Sequence, residues 1–129
     1  MNYSRLKLLI VDHSSCIGEN LHALIYKIEN ISISGHAENL TEATLIFDIV
    51  KADIVLIEML ILDHSGIEFL NQIRITKPGV LIIGCYSDQH PYKKEMYPAL
   101  KLDHTFNKDT DLENMLSTLK NISDAVRRN

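Results

Sequence analysis

Three short, apolar runs, each closed by an acid or a small residue, constrain this chain more than any other feature. Residues 6–11, apolar but for Lys7, run into Asp12, residues 54–57 into Glu58, and residues 80–84 into Cys85. Apolar runs of this length, without alternation, are expected for strands buried on both faces. A strand covered on both sides needs helices above and below it. A parallel sheet with right-handed crossovers is the arrangement that supplies them.

The segments between the runs carry helical spacing. From Ser15 onward, Ile17, Leu21, Leu24, Ile25 and Ile28 recur at helical intervals, with Ser14 or Ser15 as the cap. Residues 31–37 are short, β-branched and alternating, which predicts an edge-type strand. Ala43, Ile46 and Ile49 mark a second helix, with Asn39 or Thr41 near its cap. After a loop over 59–65, Ile67, Leu70 and Ile73 mark a third, halted before Pro78-Gly79. Residues 92–100 form a weak fourth helix that Pro98 limits. Residues 103–107 form a short fifth strand. Thr110-Asp111-Leu112-Glu113 then reads as a capping box, opening a helix with Leu112, Met115, Leu116, Leu119 and Ile122 inward.

Composition narrows the class. At 129 residues and 46% hydrophobic, the chain is expected to build one domain, spanning 1–129, around one core. No apolar run approaches a membrane span, and no signal-peptide pattern opens the sequence. A formal charge of -4 argues against direct nucleic-acid binding, which needs a basic surface. Cys16 and Cys85 have no ligand spacing and suggest a reducing compartment, hence the cytoplasm.

In an open parallel sheet the ligand site lies beyond the carboxyl ends of the strands, where the strand order reverses. Asp12, Glu58 and Cys85 are expected to converge there, and Lys108, after the fifth strand, is expected to join them. An acid, a second acid, a small residue and a lysine at successive strand ends outline a phosphoryl-accepting pocket.

This pattern resembles the receiver domain of two-component response regulators. Residues 8–12, residues 53–58, Gly66 and Lys108 carry the likeness, which spans nearly the whole chain. The resemblance implies a flavodoxin-like, doubly wound (βα)5 sandwich with sheet order 2-1-3-4-5. It also implies an aspartate at position 58 that accepts a phosphoryl group, two acids after the first strand that hold Mg²⁺, and a lysine that pairs with the phosphate. A hydroxyl at position 85 and an aromatic residue near the fifth strand complete the switch.

The chain departs from that pattern at Glu58, His13, Cys85 and Thr105. Glutamate carries its carboxylate ~1.5 Å further out, and a shift of about 1 Å can cost roughly 100-fold in rate. His13 replaces an oxygen donor that Mg²⁺ strongly favours. Cys85 bonds weakly compared with a hydroxyl. Phosphorylation at Glu58 is therefore expected to be inefficient and Mg²⁺ binding weak, with Asp12 at most a weak ligand. Two outcomes stay open. Glu58 reaches Lys108 and holds the pocket in an activated-like arrangement, or the switch is simply lost. His13 would then be a cation standing in for the metal, or a solvated loop residue.

The expected function is a non-enzymatic, protein-interaction module of signal transduction. Its partners are an output domain, a histidine kinase or another regulator. A homodimer through the fourth helix, fifth strand and fifth helix is a further expectation, with Tyr92, Met96 and Tyr97 as anchors. The alternative is a receiver that still accepts phosphate and controls an output domain, including a DNA-binding one. A redox or nucleophilic role for Cys85 is the weakest reading, because no third orienting residue accompanies it. His36, His64, His90 and His104 show no metal-ligand spacing.

Overall fold

Five parallel strands carry or flank the candidate site residues: β1 (Leu6–Val11), β2 (Ile31–Ala37), β3 (Ile54–Glu58), β4 (Leu81–Tyr86) and β5 (His104–Asn107). The structure is a computed structural model and describes residues 5–13, 19–62, 64–88 and 97–128. The sheet order is β2-β1-β3-β4-β5, as expected from the sequence. Connecting helices are α1 (Glu19–Tyr26), α2 (Leu40–Val50), α3 (His64–Thr76), α4 (Tyr97–Leu100) and α5 (Leu112–Arg128), with a 3-10 turn at Met59–Ile61.

Side chains of each strand alternate between two cores. Leu9, Val11, Val55, Ile57 and Ile82 pack with Phe47 of α2 and with Phe69 and Leu70 of α3. Leu8, Ile10, Leu56, Ile83, Cys85 and Phe106 pack with Leu21 and Ile25 of α1 and with Met115 and Leu119 of α5. Helices therefore cover both faces, which is why the strands read as continuous apolar runs.

Several local expectations shift. In α2, Ile49 is 83% exposed and Phe47 is buried, so the inward stripe runs through Ala43 and Phe47 with Ile46 half-buried. The residue that caps α2 is Asn39, whose Oδ1 accepts the Glu42 N–H at 2.8 Å. The capping-box bond expected between Thr110 and Glu113 is not formed; α5 starts at Leu112, with the Met115 N–H on the Asp111 carbonyl at 3.1 Å. Gly66 lies in the first turn of α3 rather than in a loop, packed against Leu62. The expected caps of the first helix and most of the 92–100 helix lie outside the described residues. What is described of α4 is one turn, Tyr97–Leu100. Among the described residues, no helix is long and apolar enough to cross a membrane.

Candidate functional site

Pairing of β1 with β3 (Val11 opposite Ile57) and of β3 with β4 (Glu58 opposite Cys85) lines up Asp12, Glu58 and Cys85 at the carboxyl ends of three adjacent strands. The Asp12 N–H continues the ladder onto the Ala37 carbonyl at 2.9 Å. Strand alternation puts all three side chains on the face covered by α1 and α5. Asp12 is 1% and Glu58 5% exposed. Lys108 joins this end of the sheet through its N–H, which donates to the Tyr86 carbonyl at 2.8 Å.

Burial pushes the Cys85 thiol up to about 12; the nearby Lys108 opposes that rise, while Glu58 and Asp12 add to it. A thiol held protonated in this way is a poor nucleophile. Its Sγ instead donates to Met115 Sδ at 3.4 Å.

Two contacts that the sequence left open are not made between these residues. Lys108 forms no ion pair with Glu58, so the carboxylate does not stand on the ammonium as a phosphoryl group would. Glu58 Oε2 instead accepts a long bond of 3.4 Å from the His13 backbone N–H, and Oε1 is buried with no hydrogen-bond partner among the described residues. His13 is exposed, and its contact with Glu58 is made by its backbone N–H.

The imidazole that reaches Asp12 is that of His36, whose Nε2 contacts Asp12 Oδ1. Position 36 shows no metal-ligand spacing in the sequence, and its role depends on an irregularity in β2. Leu8 pairs with Ile33, but Leu9 pairs with Gly35, so β2 carries one extra residue at Ser34. Such a bulge reverses the facing of everything after it. Without it His36 would stand opposite Val11 and point toward α2. With it His36 stands opposite Ile10 and shares the face of Asp12. His22 of α1 packs edge-on against the His36 ring, with centroids 5.3 Å apart.

Thr105, taken as the aromatic position of the switch, is half-buried and lies opposite Gly84, facing away from Cys85. Phe106 lies opposite Cys85 and is buried with it. The Tyr92 and Met96 anchors of the expected dimer surface lie outside the described residues, as does Cys16.

The residues present do not fit Mg²⁺. That ion takes oxygen ligands in near-octahedral geometry. Here one oxygen of Asp12 is engaged by an imidazole, and the neighbouring acid position offers an exposed histidine. Among the described residues no three His, Cys, Asp or Glu side chains are grouped to hold a metal ion.

Solved structures show which fold this is. The receiver domain of AraT from Geobacillus stearothermophilus superimposes with a TM-score of 0.76 over 95% of this chain and 96% of its own, at 19% identity. The fold is that of a response-regulator receiver domain. The isolated receiver domain of RcsB from Salmonella enterica serovar Typhimurium matches at 0.69, with 18% identity over 91% of this chain and 89% of that one. The response regulator domain of Thermotoga maritima CheB also matches at 0.69, with 17% identity over 97% and 98%. By sequence, the receiver-like chain is 32% identical over 85 residues to the transcriptional regulatory protein YdfI of Bacillus subtilis. That match covers 65% of this chain and 40% of YdfI. No protein-family model matches the chain.

Proposed function

We propose that this chain is a receiver-type signalling module that works through protein contacts and without phosphorylation. The observation that carries this reading is Glu58. It stands at the end of β3, only 5% exposed, with one oxygen lacking a partner among the described residues and the other on a backbone N–H. A nucleophile for phosphoryl transfer needs a metal and a lysine arranged around it. Glu58 has no ion pair with Lys108, and the acid beside it is held by an imidazole. The same absence of a Glu58–Lys108 pair favours an unswitched pocket over a permanent phosphate mimic.

The partner this reading implies is an output domain or another regulator. The matched segment in the Bacillus relative is part of a longer transcriptional regulatory protein, which supports an output of that kind. Incubation with acetyl phosphate and Mg²⁺, followed by intact mass, tests the proposal. The expected spectrum shows the unmodified chain. A stoichiometric phosphoryl adduct mapped to Glu58 overturns it.

A further inference from the structure

We propose that the outer face of α2, built on Leu45 and Ile49, is where two copies of this chain pair, with their α2 helices antiparallel about a two-fold axis. The inference goes beyond the functional reading and does not depend on it, because no residue of the acidic pocket takes part.

Helix α2 is apolar over more of its circumference than its own core uses. Ala43 and Phe47 are buried, and Leu40, Ile46 and Val50 are half-buried beside them. Leu45 and Ile49, one turn apart on the opposite side, are 62% and 83% exposed. A helix that is apolar all round is normally covered all round.

The neighbouring helix extends the bare surface. α3 packs into the same core as α2, and Lys77, just past its end, donates from Nζ to the Lys51 carbonyl at 2.7 Å, which ties the carboxyl ends of the two helices together. Ile75 stands two residues before Lys77, as Ile49 stands two before Lys51, and it is 74% exposed. Among the described residues, Tyr26, Leu45, Ile49, Leu60 and Ile75 are the large apolar side chains left exposed. Three of them share this one helical layer, and a gathered patch marks an interaction surface where scattered single residues do not.

The occupant follows from the charges. Glu42 lies in the first turn of α2 and Lys51 is its C-cap, both exposed, with Leu45 and Ile49 between them. A stripe with an acid at one end and a base at the other is complementary to its own reverse. Two-fold pairing uses the same patch on both sides, so each Leu45 meets the other copy's Ile49 and each Glu42 the other copy's Lys51. Asp48, a turn beyond Thr44 in the groove toward α3, flanks the stripe at the rim, where interfaces are polar. This face lies over β1 and β2, at the opposite end of the sheet from β5.

Sedimentation equilibrium of the full chain from about 1 to 200 µM tests this, a range that reads the micromolar dissociation constant of a small interface. Wild type is expected to pass from monomer to dimer. Ile49→Glu and Leu45→Ser, at exposed positions that leave the core intact, are expected to raise the dimer Kd at least about tenfold, as loss of a central interface residue does. Lys51→Glu is expected to weaken the dimer, and Glu42→Lys with Lys51→Glu to recover most of that loss, which no role of either residue within its own chain would give. A wild type that stays monomeric at the top of the range overturns the proposal and leaves the face to a different partner. A dimer indifferent to Ile49→Glu overturns it as well, because the contact then lies elsewhere. No recovery in the double variant overturns the antiparallel arrangement.

Discussion

Cys85 Sγ lies 3.4 Å from Met115 Sδ, so the thiol at the end of β4 is turned onto α5 and away from solvent. Burial then raises its pKa from 9.0 to about 12. The folded protein is expected to resist iodoacetamide at pH 8 and to react only at the rate of unfolding. Fast alkylation of native protein, followed by mass spectrometry, would contradict this placement.

The same thiol makes stability depend on alkaline pH. The unfolded chain loses this proton above pH 9, and the folded chain keeps it to about 12. The group's contribution is therefore whole below pH 9 and is lost as pH rises through the folded value. Urea midpoints of wild type are expected to fall above pH 9 relative to those of Cys85→Ala. Parallel curves for the two proteins would count against it.

Glu58→Met is expected to stabilise the fold by about 1–3 kcal/mol, because it removes a buried carboxylate with one unsatisfied oxygen. Its volume is retained, so no cavity offsets the gain. Denaturant unfolding measures this directly, and a loss of stability would show that the carboxylate is better solvated than its burial implies.

Lys108→Ala is expected to change stability by less than about 1 kcal/mol, because the ammonium forms no ion pair among the described residues. A large loss of stability would instead reveal an ion pair in solution.

Gly84→Ala is expected to destabilise by about 1–3 kcal/mol through crowding. A Cβ there would stand 2.9 Å from Leu102 Cδ1 and 3.0 Å from Met59 Cγ, two side chains packed against the adjacent core. Thermal unfolding reads the change; a neutral result would mean that both neighbours yield freely.

Strand existence was legible because a strand buried on both faces can hide no polar residue, while the sheet order came from the likeness to receiver domains. Leu8 to Val11 and Ile54 to Ile57 announce themselves, and their closing acids follow. The inward stripe of α2 was less legible. Ile46, Phe47 and Ile49 are all apolar, and periodicity cannot say which of three neighbours wins the core; contact with the sheet chose Phe47.

Residue types at the strand ends, then, were enough to bring Asp12, Glu58, Cys85 and Lys108 to one edge of the sheet, because the strands of a parallel sheet all end at the same edge. Which imidazole meets Asp12 was not written in any spacing. A single extra residue in β2 inverts the facing of His36, and a bulge depends on how two strands pair rather than on either strand alone. The missing Glu58–Lys108 pair has a similar origin: reach along a side chain is a matter of ångströms in three dimensions, and no count of positions along the chain supplies it.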